Sequence, residues 1–254
     1  MDFPNNSQAD RATYRSTVAR LRSAQKPGRG APPYSRWVNR RLGRWLGAVA
    51  YLLGLSPNQV TMISAAMTFT ALALVFVIPP SLGLGLLVTF LLLLGYALDS
   101  ADGQLARLRG GGSRAGEWLD HVVDATKIGV LHSAVLVSFF RFSGETRWLV
   151  LLAPLVFMQA SFVFFFGMIL TDQLRRSAAA QAGMAYAKPS GGGGGFQTLV
   201  AIPTDYAVLC LSFVLIGFHG PFTVVYLLLA LAQTVITTAV LGRWWRQLRR
   251  LDAG

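Results

Sequence analysis

Long apolar runs alternate with short polar segments along most of this chain. A bilayer core about 30 Å thick needs about 20 apolar residues per helix, so these runs predict membrane-spanning helices. The runs are residues 58–78, 82–105, 118–140, 149–170, 198–218 and 222–241. The pattern therefore predicts an all-α integral membrane protein with six transmembrane helices.

Two further segments mix basic with apolar residues instead of running apolar. The first, SRWVNRRLGRWLGAVAYLLGL at 35–55, predicts an N-terminal interfacial amphipathic helix with Trp37 and Trp45 as anchors. The second, RWWRQLRR at 243–250, predicts another interfacial segment after the last helix. Both segments are expected to lie along the membrane surface.

Composition supports the membrane assignment and divides the chain. The 254 residues are 53% hydrophobic and only 13% charged, whereas soluble domains carry about 25% charged residues. We expect residues 1–34 to form a basic cytoplasmic N-terminal segment and 35–250 to form the membrane domain. The run SGGGGG at 190–195 predicts a flexible linker between the fourth and fifth helices.

The net charge of +12 is distributed unevenly along the predicted topology. Most basic residues fall in the N-terminal segment, the loops after the second and fourth helices, and the tail, which share one side of the membrane. By the positive-inside rule that side is cytoplasmic. We therefore expect a multi-pass protein of the cell (plasma) membrane with both termini in the cytoplasm. Nucleic-acid binding is not expected, because no stacking aromatics are interleaved with the basic residues.

The stretch DSADGQLARLRGGGSRAGEWLDHVVDATK, residues 99–127, departs from the apolar pattern. It holds five of the eleven acidic residues between two long apolar runs. Asp99 and Asp102 are three residues apart and Asp120 and Asp124 four apart, so each pair shares a helix face. The short GGGSRAG connection predicts antiparallel neighbouring helices, which brings four carboxylates together at the cytoplasmic membrane face.

Four carboxylates at one place would repel each other without a counter-charge. Hard oxygen ligands of this kind suit Mg²⁺, Mn²⁺ or Ca²⁺, and Mg²⁺ is commonly held by carboxylates together with substrate phosphates. The small residues Gly103 and Ala106 leave room for a ligand, and the Arg107 guanidinium can reach a phosphate. The stretch therefore predicts a metal site for a phosphate-bearing substrate.

The same residues form a recognisable motif. Their spacing, D-x2-D-G-x2-A-R-x8-G-x3-D-x3-D from Asp99 to Asp124, resembles that of the CDP-alcohol phosphotransferase family, and the six-helix plan covers most of the chain. The resemblance implies transfer of a phosphate-linked alcohol from a CDP-alcohol donor to an acceptor hydroxyl, with release of CMP, in phospholipid biosynthesis. It also implies a homodimer in the lipid bilayer.

The resemblance assigns roles to individual residues. Asp99, Asp102 and Asp120 would hold metal, two Mg²⁺ or Mn²⁺ ions, together with the CDP diphosphate. Asp124 would be a further metal ligand or the catalytic base on the incoming hydroxyl. SPNQVT before the first helix resembles a recurrent family segment, although Ser56 as N-cap and Pro57 explain part of it. The implied nucleotide-binding set is Asp99, Asp102, Gly103, Ala106, Arg107, Gly116, Asn58 and Thr61.

The acceptor is open at this level. The loop RLRGGGSR resembles that of actinobacterial phosphatidylinositol-phosphate synthases, in which an Arg is expected after the last Asp, but this chain has Ala125 there. We therefore predict weak use of phosphorylated acceptors. Acceptor-binding candidates are Lys127, Arg175, Arg176 and Asp205. CDP-diacylglycerol is the expected donor, and a soluble CDP-polyol or CDP-amino-alcohol is the alternative.

A cation- or proton-coupled transporter is the rival class, because transporters also keep acidic residues in membrane helices. Transporter sites typically lie at the midplane between related repeats. The sequence shows no second copy of the Asp set, and its carboxylates gather at one face beside arginines. Release of CMP would distinguish the two classes.

Overall fold

The protein is described by a computed structural model for residues 6–23, 25, 32–184, 186 and 202–252. These residues form helices, turns and loops and include no β-strand. In chain order the helices are α1 (Asn6–Ser23), α2 (Arg40–Leu52), α3 (Pro57–Val77), α4 (Leu82–Leu108), α5 (Arg114–Phe142), α6 (Trp148–Gln181), α7 (Tyr206–Ser212) and α8 (His219–Asp252). A π-helical turn (Ser35–Asn39) precedes α2, and a 3₁₀ turn (Phe213–Leu215) follows α7.

Five helices, α3, α4, α5, α6 and α8, are long and apolar enough to cross a membrane. This confirms an all-helical, multi-pass membrane protein. The predicted fifth span, 198–218, is represented by a shorter apolar helical segment, Tyr206–Leu215, and its residues 198–201 lie outside the described part. The linker predicted at 190–195 lies outside it as well. Six transmembrane helices therefore stay a prediction.

The start of α3 is fixed by its own sequence. Ser56 Oγ accepts a hydrogen bond from the Gln59 backbone N–H (3.2 Å), and Gln59 Oε1 accepts one from the Ser56 N–H (2.8 Å). With Pro57 in the first turn, this capping box satisfies N–H groups that would otherwise lack partners. It holds Asn58 and Thr61 at the end of the bundle that carries the acidic residues.

α4 is the central helix of that end. On one side α3 comes close enough for Ser64 Oγ to donate to the Gly95 carbonyl oxygen at 2.8 Å. On another side α2 crosses at Gly43, where a Cβ would stand 2.7 Å from Ser100 Oγ. The absence of a side chain at Gly43 lets α2 rest directly on α4.

α4 and α5 are joined by a short loop, yet they do not pack against each other along their length. Both pack closely on α3 and make almost no close backbone contact with one another. The predicted antiparallel pair is therefore connected through side chains and not through close backbone packing: Lys127 Nζ of α5 lies 2.7 Å from Asp99 Oδ1 of α4.

α7 runs along α4 in the opposite direction. The Tyr206 ring lies 5.2 Å from the Tyr96 ring, and further along Thr89 Oγ1 donates to the Cys210 carbonyl at 3.2 Å. A Cβ on Gly217 would meet the backbone of Ser81, at the far end of α4. α7 therefore begins close to the acidic end of α4 and leads away from it.

α8 returns the chain to the acidic end. Near its start, Tyr226 and Phe222 pack with Phe139 of α5 in an aromatic core, and the Tyr226 hydroxyl lies 2.6 Å from His132 Nδ1. The tail predicted as a separate interfacial segment instead continues α8 to Asp252. Trp244 packs against Phe164 of α6 at 5.6 Å, which favours continuation of the helix.

The N-terminal segment also contains a helix that the sequence reading did not predict. α1 packs against α2, with Leu21 fully buried and the Tyr14 hydroxyl donating to the Trp45 carbonyl at 3.4 Å. The predicted amphipathic helix is present as the π-helical turn and α2, and Trp37 and Trp45 are about half exposed. Its position at a membrane interface stays a prediction.

Candidate active site

The turn between α4 and α5 sets the position of the acidic motif. Gly110 and Gly111 have φ values of 98° and 124°, a region that side-chain-bearing residues rarely adopt. The Gly111 N–H donates to the Ala106 carbonyl at 3.0 Å and closes the end of α4. Ser113 then caps α5 by accepting from the Gly116 N–H at 3.0 Å. The motif residues thus lie at the adjoining ends of two reversed helices.

Three of the four predicted carboxylates come together between these helices. Oxygen atoms of Asp99, Asp120 and Asp124 all lie within 4.8 Å of one another. Lys127, one turn beyond Asp124, bonds to two of them: its Nζ is 2.7 Å from Asp99 Oδ1 and 3.1 Å from Asp124 Oδ1. The Lys127 side chain is only 9% exposed. We refer to these four residues as the inner cluster.

The donor set of the inner cluster fits a hard divalent cation. Carboxylate oxygens are the ligands that Mg²⁺ and Mn²⁺ prefer, whereas a zinc site would call for His or Cys. Its three carboxylates outnumber its one ammonium group. A cation bound there would be held by Asp99 and Asp120, with Asp124 as a further ligand or as the catalytic base.

Asp102 is separate from this group. It is buried, and its Oδ2 accepts a hydrogen bond of 2.6 Å from Thr61 Oγ1 of α3. This bond ties the end of α3 to the motif, and Thr61 Oγ1 also lies 3.1 Å from the Pro57 carbonyl oxygen of its own helix. The four-carboxylate metal set therefore divides into a group of three and a neighbouring carboxylate held by Thr61.

Beside the inner cluster lies a cavity of about 720 Å³, which is within the range of about 300–1,000 Å³ for small-molecule and cofactor sites. Its walls come from the ends of α3, α4, α5 and α6 and from the glycine loop. Seven of the eight residues predicted to bind nucleotide line it, all except Asp99. They are Asn58, Thr61, Asp102, Gly103, Ala106, Arg107 and Gly116. Asp120 lines it as well and connects it to the inner cluster.

α6 supplies a wall of this cavity that the sequence reading did not assign. Asp172 and Gln173 line it together with Arg176. Asp172 accepts from Arg176 at 2.7 Å and also from the Tyr186 hydroxyl. The sequence signal was the polar run TDQLRR at the end of a long apolar stretch. Only the fold shows that its acidic and amide side chains face the motif.

The four predicted acceptor-binding residues do not form one group. Lys127 lies within the inner cluster, and Arg176 pairs with Asp172 and, at 3.5 Å, with Glu117. Arg175 points to α8, where it donates to Gln247. Only Lys127 and Arg176 are therefore near the motif.

Asp205 is the fourth of these residues, and its contacts favour a structural role. It is 1% exposed, and Oδ1 accepts from the Ala207 N–H at 3.2 Å as the cap of α7. Oδ2 accepts from the N–H groups of Tyr34 (3.0 Å) and Ser35 (3.4 Å) at the start of the N-terminal helical segment. Because both oxygens are engaged with backbone, Asp205 joins two helix starts.

Comparison with known proteins places this site in a family. A family model described as CDP-alcohol phosphatidyltransferase matches residues 54–243. The chain belongs to the CDP-alcohol phosphatidyltransferase family. A curated phosphatidylinositol phosphate synthase from Corynebacterium glutamicum is 31% identical over 195 residues, which cover 74% of this chain and 76% of that protein.

Solved structures show a similar fold. One is a crystal structure of phosphatidylinositol phosphate synthase from Mycobacterium tuberculosis in complex with manganese and citrate. Its TM-score is 0.56 at 19% identity, and the match covers 79% of this chain and 87% of the mycobacterial chain. Another, of the same enzyme with CDP-DAG bound, has a TM-score of 0.52 and 22% identity, over 82% and 94% of the chains. At these identities the likeness concerns the fold.

The family assignment decides between the classes left open by the sequence. The chain is a phosphotransferase of phospholipid biosynthesis that transfers a phosphate-linked alcohol from a CDP-alcohol and releases CMP. The predicted Mg²⁺ or Mn²⁺ cofactor is confirmed by the family together with the acidic cluster.

Proposed function

We propose that this enzyme transfers the phosphatidyl group of CDP-diacylglycerol to the hydroxyl of a small polar alcohol. The observation that carries the proposal is the inner cluster beside a cavity of about 720 Å³ lined by seven predicted nucleotide-binding residues. The relative from C. glutamicum supports a lipid product, and a neighbouring structure is described with CDP-DAG bound. CDP would occupy the cavity, with Gly103 and Ala106 leaving room along α4.

The carboxylates divide the work of the reaction. Asp99, Asp102 and Asp120 would hold two divalent cations and, with them, the donor diphosphate; Asp102 is kept in place by its 2.6 Å bond from Thr61. The cations supply Lewis-acid stabilisation of charge on the phosphoryl oxygens when they are bound. Arg107 lines the cavity and offers planar donors to the diphosphate.

Asp124 acts as the general base. A neutral alcohol is a poor nucleophile, and a positioned base contributes about 10²- to 10⁴-fold. Asp124 takes the hydroxyl proton as the alcohol oxygen attacks the phosphorus attached to diacylglycerol. A new P–O bond forms, the P–O bond to CMP breaks, and CMP leaves with the electron pair. The contact with Lys127 at 3.1 Å orients the Asp124 carboxylate.

An unphosphorylated acceptor is favoured by the pairing of the basic residues. Lys127 is engaged with Asp99 and Asp124, and Arg176 with Asp172 and Glu117. A phosphate on the acceptor would have to compete with these carboxylates. We therefore retain the prediction that inositol phosphate and glycerol phosphate are weak acceptors.

Inositol phosphate is the second candidate acceptor, and one observation favours it. The C. glutamicum relative, which is 31% identical, is a phosphatidylinositol phosphate synthase. A soluble CDP-polyol or CDP-amino-alcohol donor is the further alternative. Each alternative changes the substrate while keeping the same metal site and the same leaving group.

One assay tests the reaction and its substrates. Purified enzyme in mixed micelles with Mg²⁺ is given labelled CDP-diacylglycerol and, separately, inositol phosphate, glycerol phosphate and a panel of unphosphorylated alcohols, and CMP and labelled lipid are measured. We expect CMP to form with lipid product and fastest with an unphosphorylated alcohol. Turnover of inositol phosphate at least as fast would reject our acceptor, and no CMP from lipid or soluble CDP-alcohols would reject the proposal.

The membrane arrangement that goes with this function is six spans with the acidic end in the cytoplasm of a cell-membrane enzyme. Two contacts support this arrangement. Gly43 of α2 packs beside Ser100 of α4, and Arg175 of α6 bonds to Gln247 near the end of α8, so α2 and the end of α8 both lie at the acidic end of the bundle. The segment between α6 and α8 would then contain the sixth crossing. Cysteine labelling from each side of sealed vesicles tests this topology.

Assembly and domain boundary are also parts of the proposal. A homodimer follows from the family resemblance, and the exposed apolar faces of the long helices are compatible with lipid or a second copy. Sedimentation in detergent at several protein concentrations tests it, with a monomer as the contrary result. The boundary near residue 35, between the basic segment and the membrane domain, is tested by truncation and activity measurement.

A further inference from the structure

A second cavity lies where α1 meets α2 and shares no described lining residue with the active-site cavity. It has a volume of about 530 Å³ and is lined by Arg22, Gln25, Arg36, Arg40, Arg41 and Arg44. Of the six described residues that line it, five are arginines and none is acidic. We refer to it as the arginine pocket.

The arginines of this pocket are held together by the fold. Arg40, Arg41 and Arg44 share one side of α2, at spacings of three and four residues, and Arg22 comes from the last turn of α1. The Gln25 amide donates to the Arg40 carbonyl at 3.3 Å and to Gln104 of α4 at 3.0 Å. The pocket is therefore anchored to the central helix of the bundle.

The electrostatics of the pocket favour an anion. Burial and the neighbouring charges of Arg22 and Arg41 lower the pKa of the Arg44 guanidinium. Among the described residues, Arg44 Nε is buried and has no hydrogen-bond acceptor. A buried donor without an acceptor is unfavourable, and an anion among these arginines would relieve both the unmet hydrogen bond and the repulsion.

The chemistry of the lining specifies the anion further. Guanidinium groups present planar paired donors that match the oxygens of phosphate groups. A volume of about 530 Å³ is larger than a single inorganic ion needs and lies within the range for small-molecule sites. We infer that the arginine pocket is a binding site for the phosphate group of an anionic molecule, separate from the active site.

The surroundings of the pocket point to a lipid headgroup as the source of this phosphate. α2 exposes Trp45, Val49 and Leu52 along one side, and the neighbouring Trp37 is 52% exposed with Arg36 5.8 Å from its ring. Exposed Trp beside arginine is typical of the level of lipid headgroups. A general attraction of basic residues to anionic lipid also exists, but it requires neither a cavity nor a buried guanidinium nitrogen.

The test compares two double variants with equal loss of charge. Arg41→Gln/Arg44→Gln alters the pocket, and Arg249→Gln/Arg250→Gln removes two exposed arginines at the end of α8. Binding of dioctanoyl phosphatidylglycerol, dioctanoyl phosphatidylcholine and inorganic phosphate is measured by native mass spectrometry, with CDP and Mg²⁺ present to fill the active-site cavity. This readout is independent of catalytic activity.

We expect phosphatidylglycerol to bind the wild type and the Arg249/Arg250 variant alike, and the Arg41/Arg44 variant about tenfold or more weakly. Weak binding of inorganic phosphate would identify a headgroup site. Inorganic phosphate binding as tightly as the lipid, with the same loss in the variant, would identify a site for soluble phosphate compounds.

Equal affinities in the two double variants would overturn the inference, because charge alone would then explain binding. Arg22→Gln addresses the same pocket from α1 and is used if the α2 variant does not fold. Its predicted effect has the same direction, and unchanged lipid affinity in this variant would likewise count against the pocket.

Discussion

Two charged clusters of this protein show how differently the same residue types are used. The inner cluster brings together Asp99, Asp120 and Asp124, and Lys127 bonds to the first and the last of them. At the other end of α5, Glu145 alone accepts three hydrogen bonds from Arg147, at 2.6–2.9 Å, and lies 3.4 Å from His219. We refer to Glu145, Arg147 and His219 as the outer cluster.

The difference lies in the balance of charge and hydrogen bonds. In the outer cluster one carboxylate has a full set of donors, and the group stabilises the loop between α5 and α6. In the inner cluster three carboxylates lie close together, and like charges at such distances repel each other. This grouping favours the inner cluster as a site for a cation, whereas the outer cluster is a structural contact.

The largest expected effect is on removal of the metal. Treatment with EDTA should reduce turnover by more than about 10³-fold, because metal ions supply several kcal/mol of transition-state stabilisation, and Mg²⁺ should restore it. The measurement is CMP release, with Glu145→Gln as the matched control. That variant should show the same metal dependence as the wild type. Full activity in EDTA would contradict the assignment of the inner cluster as a site for a catalytic cation.

Asp124→Asn should have the next largest effect. The amide cannot take the acceptor proton, so turnover should fall by about 10²-fold or more while binding of metal and CDP-alcohol stays close to wild type. Asp99→Asn is the matched comparison and should weaken nucleotide binding as well as turnover. Calorimetry with CDP and a rate assay separate the two. Equal losses of nucleotide affinity, with turnover of the Asp124 variant preserved, would make Asp124 a metal ligand and not the base.

Lys127→Met should reveal the excess charge directly. Removing one partner of a buried ion pair costs about 3–5 kcal/mol, so this variant should be strongly destabilised in EDTA. Saturating Mg²⁺ should restore much of the loss, because a cation can take over the contacts to Asp99 and Asp124. Thermal unfolding with and without Mg²⁺ measures this. An equal loss in both conditions would show that Lys127 stabilises the fold independently of metal.

The inner cluster was accessible from the sequence, whereas the outer cluster was not. The motif from Asp99 to Asp124 lies on two consecutive helices joined by a short turn, so helix periodicity and loop length sufficed to bring three carboxylates together. The contacts of Glu145 with His219 join residues 74 positions apart. Such contacts depend on how α5 and α8 pack, which periodicity does not specify.

Two of the predicted acceptor-binding residues, Asp205 and Arg175, lie elsewhere for the same reason: their contacts depend on how distant helices pack. Asp205 was assigned to the acceptor because it enters a predicted helix near the motif, but its partners Tyr34 and Ser35 are about 170 residues away. Arg175 and Arg176 are adjacent in sequence, yet one contacts α8 and the other faces the cavity. Five of the six predicted spans correspond to long apolar helices, because apolar length is a local property. Their polar extensions were not predicted, because they depend on neighbours.

The smallest expected effect is the pH dependence of the outer cluster. Hydrogen bonds from Arg147 lower the pKa of Glu145 from 4.5 to about 2. A carboxyl group with a lowered folded-state pKa adds stability above its unfolded-state pKa, and this contribution is lost as pH falls through the folded-state value. Glu145→Gln should therefore lower the melting temperature at neutral pH, and its difference in melting temperature from wild type should shrink between about pH 5 and about pH 2.

Melting curves of both proteins across this range, with Mg²⁺ and with EDTA, provide the measurement. If the difference in melting temperature stays constant on acidification, the packing of the Glu145 side chain, and not its charge, stabilises this loop. If this difference in melting temperature changes with Mg²⁺, the outer cluster is not independent of the metal site.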